Sequence, residues 1–262
     1  MSGTTGARMG TDRPAPSIWL RRERAAVGRP AQHSRAGITA VALGIADREG
    51  LDAVSMRRVA AELGTGAASL YRYVATREDL LDLMSDATGA EYVLPDPTGD
   101  WLAELVAVGE QTRTILRRHA WLAGLIITRP VIGPNGIALI EHVLTVLEQH
   151  PADLATKLEA FALLNGITAT FVLHEQAGGS ELRDRNVAYV THAATSGEHP
   201  RLARLLAQEP RVRGAQGAQA AAVDPEDRYP DVLARVLVGL LGRDTSPGEP
   251  HPLCRLDAWP RA

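Results

Sequence analysis

The stretch from Val54 to Val74, VSMRRVAAELGTGAASLYRYV, constrains this chain more than any other segment, because it carries two short apolar stripes on either side of a glycine. In its first half Met56, Val59, Ala60 and Leu63 recur at i, i+3, i+4 and i+7, and in its second half Ala67, Leu70, Tyr71 and Val74 repeat that spacing. Both read as one-sided helices, interrupted only by Gly64-Thr65-Gly66. Gly64 stands where a helix end needs a residue tolerant of the left-handed conformation, and Thr65 or Gly66 is placed to cap the next helix. The pattern predicts a helix-turn-helix with a short, fixed turn.

The second helix is expected to leave Ser69, Arg72 and Tyr73 outside its stripe, with small Ala67 and Ala68 at its start. Small side chains there let a helix come close to base edges in a major groove, and a methyl group can touch a thymine methyl. Arg57 on the preceding helix adds a positive charge. Any helical hairpin can show such spacing, so its surroundings matter. Residues 1–77 carry twelve arginines against six acids, a balance of +6, while the remaining residues balance at −9. Such a division suits a front that attracts phosphate and a back that does not.

At 262 residues the chain can bury two modest cores, and 45% hydrophobic content with only 4% aromatics favours an all-α fold. Residues 1–33, rich in Gly, Pro, Thr and Arg without helical period, read as a mobile basic arm; Arg21, Arg22, Arg24 and Arg29 could enter a minor groove or remain a solvated tail. A first helix is expected from about Ser34 to Glu49, with Ile38, Val41, Ala42 and Ile45 inward and Gly50 ending it. Thr76-Arg77-Glu78-Asp79 opens a fourth helix that runs to about Glu91. Pro95, Pro97 and Gly99 then mark a boundary, which gives a DNA-binding domain over 34–94, a helical domain over 95–242 and a Pro-rich tail over 243–262.

In the second domain the pattern predicts helices at Trp101–Arg118, His119–Thr128, Asn135–Gln149, Pro151–Gln176, Ser180–Ser196, Pro200–Gln208 and Arg228–Leu241, with 209–227 flexible. Ala160–Leu173 is apolar nearly all round, and Val232, Leu233, Val236, Leu237, Leu240 and Leu241 form a broad stripe. Both need cover on more than one side, which points to a four-helix interface in a homodimer. Dimerisation also fits a pseudo-palindromic operator, whose half-sites lie about 34 Å apart on one face of DNA.

Other classes find little support. A single cysteine, Cys254, excludes an internal disulfide framework and any cysteine-rich zinc site. No segment has the apolar length of a signal peptide or a membrane span, so a soluble cytoplasmic protein is expected. The eight histidines are scattered without an HxxxH or HExxH pair, and neither a phosphate-binding glycine loop nor a GxSxG elbow is present. The sequence therefore predicts no enzyme, no metal site and no cofactor.

From Ile38 to Met84 the order REGL, VSMRRVAAELG, SLYRYV and TREDLLDLM resembles the DNA-binding domain of TetR-family transcriptional regulators. Farther on, Trp101, the triplet Thr128-Arg129-Pro130, GPNG and VLHEQ resemble the C-terminal ligand-binding and dimerisation domain of the tetracycline-repressor branch. The resemblance implies a three-helix reading head, a helix-four linker and a larger effector domain. It places Arg57 at a base-contacting position, Ala67, Ala68 and Ser69 at positions that choose bases, and Tyr71, Tyr73 and Arg77 at phosphate-contacting ones. Physics agrees for Tyr71, whose ring could pack at the rim of the stripe while its hydroxyl reaches a phosphate, and for Arg77, beside a helix N-terminus that attracts anions. Where tetracycline repressors hold a magnesium-bound drug, this chain has Ile126 or Ile127 and His174, with Glu175 one position away. Neither tetracycline recognition nor a required metal is implied.

The expected function is an operator-binding regulator, a repressor released by a small molecule, with a ligand-responsive activator or a helical carrier without DNA binding as the alternatives. For the effector pocket, polar or aromatic residues within apolar helices point to Gln111, His119, Trp121, His142, Asn165 and Thr168.

Overall fold

The structure, a computed structural model, describes residues 17–21, 33–177, 180–208 and 225–242. Among them are eleven α-helices and no strand: α1 (Arg35–Glu49), α2 (Met56–Glu62), α3 (Ala67–Leu70), α4 (Arg77–Thr88), α5 (Trp101–Arg118), α6 (Leu122–Thr128), α7 (Pro134–Val146), α8 (Leu154–Gln176), α9 (Ser180–Thr195), α10 (Pro200–Gln208) and α11 (Pro225–Leu241). Two compact units result. One holds the described residues up to Ala87 together with Ile132–Pro134, and the other holds Thr88–Val131 and the described residues from Asn135 on.

Helix starts in the first unit are set by side chains that satisfy the orphan amides of a first turn. Ser34 Oγ accepts from the Gly37 amide, and Ser55 Oγ accepts from the Arg58 amide, both at 3.1 Å. At α4 the capping is reciprocal: the Asp79 amide donates to Thr76 Oγ1 at 2.9 Å, and the Thr76 amide donates to Asp79 Oδ2 at 3.2 Å. The turn after α2 is a Schellman motif. Gly64 sits at φ +66°, its amide donates to Ala61 O and the Thr65 amide reaches back to Ala60 O. Gly66 precedes α3 without a side-chain cap. Ile38, Ala42, Ile45, Val59, Ala60, Leu70, Val74, Leu80 and Met84 form the core.

Ser17–Arg21 departs from the expected mobile arm. It forms a 3-10 turn, Ile18–Leu20, and Ile18 is one of the largest fully buried side chains. Residues 22–32, with Arg22, Arg24 and Arg29, lie outside the described residues, as do 209–224 and 243–262.

The second unit is built on α5, α8 and α11, each packed on the other two, with α6 against α8. Leu105, Val108, Leu139, Val143, Leu147, Ala160, Leu164, Leu233 and Leu237 make its core. On α8 the inward ridge is Ala160, Leu164, Thr168 and Val172, one residue per turn, which leaves Leu154, Leu158 and Leu163 exposed. On α11 the ridge is Tyr229, Leu233, Leu237 and Leu241. Helix α9 packs with α10. The Pro-rich segment before α5 is tied down by side chains: Glu104 accepts from Thr98 N, Thr98 Oγ1 and Gly99 N at 2.9–3.0 Å. No helix among the described residues is long and apolar enough to cross a membrane.

Candidate functional site

The exposed edge of the helix-turn-helix is narrower than its sequence implies. Arg57, Ala68 and Arg72 are exposed, and Ala67 and Ser69 are partly so. The two tyrosines exchange places. Tyr73, expected outside, is buried at 9% exposure, whereas Tyr71, expected at the rim of the core, is 52% exposed. The cause is the length of α3, which ends at Leu70. Beyond it the Tyr73 amide donates to Leu70 O at 2.8 Å, a bond that spans three residues. In such a tightened turn, residues three apart lie over one another, so Tyr73 follows Leu70 inward.

Arg77 is also committed to the head itself. Its Nε donates to Val54 O at 3.1 Å and its Nη2 to Leu51 O at 3.3 Å, bracing the turn that connects α1 to α2. The first amides of α4, expected to attract an anion, are capped by Thr76, and the Asp79 carboxylate already stands there. Arg58 is drawn into a surface network with Glu49 and Glu62, both at 2.8 Å, which raises its pKa. Arg57 and Arg72 make no side-chain hydrogen bond or ion pair among the described residues, so their charges face solvent.

In the second unit, the six residues expected around a pocket do not form one group. Gln111 is bonded to the main chain of Val93 in both directions, accepting from its amide at 2.7 Å and donating to its carbonyl at 3.0 Å. Asn165 donates to the Phe161 carbonyl of its own helix. His119 is buried, 2.7 Å from Glu91 Oε1, with its ring edge-on to buried Trp121. His142 is half-buried and faces the charge of Glu104. Thr168 points into the core, where its hydroxyl meets Tyr229 Oη at 2.6 Å.

Thr168 belongs to a buried polar group of which the sequence reading missed most members. Arg113 is 7% exposed; its Nε donates to Glu175 Oε1 at 3.0 Å and its Nη2 to the same oxygen at 2.5 Å. Its guanidinium also lies 4.8 Å from the centroid of the Tyr229 ring. Arg117 Nε donates to Glu175 Oε2 at 2.8 Å. Burial works against the Glu175 charge, but the hydrogen bonds and attraction of Arg117 and Arg113 outweigh it and hold its carboxyl below the usual range. Tyr92 pairs with Thr112 at 2.8 Å, and burial pushes the phenols of Tyr92 and Tyr229 up to about 12. Gly109 makes this packing possible, since a methyl there would lie 2.7 Å from Tyr229 Oη and 2.3 Å from Leu233 Cδ2. One signal was available in the sequence: Arg113 stands four residues after Gly109 and three before Leu116, on the inward stripe of α5. His174 is exposed, whereas Glu175 turns inward and its oxygens are taken by guanidiniums.

Comparison with known proteins settles the family. Residues 38–84 match the tetR family of bacterial regulatory proteins, and residues 94–242 match the tetracyclin repressor-like C-terminal domain. The chain belongs to the TetR family. Among TetR relatives, it is 41% identical over 131 residues to the HTH-type transcriptional repressor DrrR1 of Streptomyces coeruleorubidus, a match covering 49% of this chain and 48% of that protein. A Saccharopolyspora erythraea HTH-type transcriptional regulator is 36% identical over 55% of this chain and 61% of its own length. The chain thus spans about half the length of the curated relatives it matches. Apo ActR from Streptomyces coelicolor superposes with a TM-score of 0.67 at 30% identity, covering 80% of this chain and 98% of that one. ActR has also been solved with actinorhodin, with a TM-score of 0.65 to this chain over 80% of it and 95% of that chain.

Proposed function

We propose that the protein is a cytoplasmic, homodimeric, non-enzymatic transcriptional repressor that leaves its operator when a small molecule occupies the second unit. The observation that carries this reading is the exposed edge of α2 and α3. Arg57, Ala67, Ala68, Ser69, Tyr71 and Arg72 present charge, small side chains and hydroxyls along α2, α3 and the turn that follows α3. Tyr73 and Arg77 serve that edge from behind, by holding its frame. Repression is favoured over activation by the name of DrrR1, which is a repressor.

Two features support a dimer and an effector. Leu154, Leu158 and Leu163 leave apolar side chains exposed on α8, surface of the kind that a second copy covers. The buried group around Arg113, Tyr229 and Thr168 places hydrogen-bonding atoms inside an apolar helical unit, which is how small-molecule sites obtain orientation. ActR has been solved in complex with actinorhodin, so actinorhodin is the first compound to test.

Selection of DNA from a random pool by the full chain tests the reading. The expected result is enrichment of a two-fold pseudo-palindrome, with Ser69 variants shifting its base preferences. Absence of any enriched sequence would overturn DNA reading, and enrichment of an asymmetric site would overturn the dimer.

A further inference from the structure

We propose that the Ser17–Arg21 turn is a relay, through which the loop between α6 and α7 positions the C-terminal end of the recognition helix; the proposal rests on the DNA-reading function above. The loop residues Ile132–Pro134 cluster with the first unit, although they are covalently continuous with α6 and α7 of the second. Gly133 is buried there. A methyl on it would lie 2.6 Å from Cζ2 of Trp19 and 2.4 Å from Cγ of Asp86, so the loop is seated directly on the turn and on α4.

From Trp19 the connection runs through two arginines. Ile18 anchors the turn in the core, and Arg35 Nη1 takes the carbonyls of Ile18 and Arg21, at 3.2 and 2.8 Å. The same guanidinium reaches the recognition element, with Nε donating to Tyr73 O at 3.0 Å. Arg21 meanwhile pairs with Asp79, the residue that caps α4 through Thr76. A displacement of the loop against Trp19 therefore acts on a turn whose carbonyls share one guanidinium with Tyr73. Side chains this closely packed do not deform freely, so the displacement passes on as a change in the pose of residues 70–79. None of the relay residues needs to touch DNA.

Gly133→Ala in the full chain is the direct test, because its single methyl needs space now held by Trp19 and Asp86. Without DNA, amide hydrogen exchange over residues 70–79 is expected to speed up while that of α5 and α8 stays protected. With the selected operator, affinity is expected to fall about tenfold with the salt slope unchanged, since no phosphate contact is removed. Adding Trp19→Ala should return part of that loss. Unchanged exchange over 70–79, or losses from Gly133→Ala and Trp19→Ala that simply add, would overturn the relay. If Gly133→Ala does not fold, Trp19→Ala alone, which leaves the loop intact, must show the same faster exchange. Because exchange is measured without DNA, a chain that selects no DNA sinks the functional reading and still leaves the relay tested.

Discussion

In the first unit Arg35 and Arg77 donate to main-chain carbonyls at the ends of short elements, whereas in the second unit Arg113 and Arg117 converge on the Glu175 carboxylate beside a helical core. The difference follows from what each unit has to hold. Helices of four and seven residues, α3 and α2, cannot bury enough surface to fix themselves, so long donors from neighbouring elements staple their ends. The 18- and 23-residue helices α5 and α8 need no such help, and their buried charges survive by pairing with each other. Arg35 and Arg77 therefore supply frame, and Arg113 and Arg117 charge balance. Arg57 and Arg72, without a side-chain partner among the described residues, mark what is left for DNA.

The largest effect is expected from breaking the second arrangement. Arg113→Ala leaves the partly buried Glu175 carboxylate with Arg117 as its remaining ion-pair partner among the described residues, and should destabilise the second unit by about 3 kcal/mol, the lower end for buried pairs because Glu175 keeps some exposure. Urea unfolding followed at α5 and α8 measures this. The pH dependence has a definite sign. The Glu175 carboxyl is held below its ordinary value of 4.5, so its contribution is complete above that pH and disappears as pH falls through the depressed value. Wild-type stability should drop on that acid limb more steeply than that of Glu175→Gln. Parallel acid limbs would show that the pair adds nothing to the folded state.

The same contrast explains which parts of the molecule were legible in the sequence. Among the long helices α5 was readable to the residue: it begins after Asp100, whose carboxylate accepts from the Ala103 amide, and ends at Arg118 as its period implied, whereas α8 keeps its expected end at Gln176 but starts three residues late, at Leu154, after the Asp153 cap. The short recognition element was not, because a 3.6-residue period carried past Leu70 assigns Tyr71 inward and Tyr73 outward, and the chain has already tightened there. The turn at Ser17–Arg21 was missed for another reason. Its order comes from Arg35 and Asp79, and local composition carries no trace of such distant partners. Choosing pocket residues by polarity within apolar helices selected Gln111 and Asn165, which satisfy main-chain groups nearby, and passed over Arg113, which the stripe of α5 turns inward.

An intermediate effect is expected from Arg77→Ala. Loss of the donors to Val54 O and Leu51 O should lower the stability of the first unit by about 1–2 kcal/mol. Operator affinity should fall with it, at an unchanged salt slope, because the residue frames the head and does not neutralise a phosphate. A slope lower by about one would instead assign Arg77 a phosphate contact and blur the distinction between framing and reading arginines.

Arg57→Ala should show the reverse pattern and the smallest effect on the fold. Its side chain is exposed and has no partner among the described residues, so stability should stay within about 0.5 kcal/mol of wild type. Yet its charge stands on α2 beside the recognition helix, where it can meet either a base edge or a phosphate. The two contacts separate in one titration. A base contact lowers affinity for the selected operator far more than for unrelated DNA, while a phosphate contact lowers both equally and reduces the salt slope by about one. Since Ala67 and Ala68 bring few hydrogen-bonding atoms to the start of α3, the expected outcome is the first, with discrimination of about 1–3 kcal/mol against the altered base pair. Equal losses on both DNAs would move base reading to Ser69 and Arg72 or to the shape of the duplex.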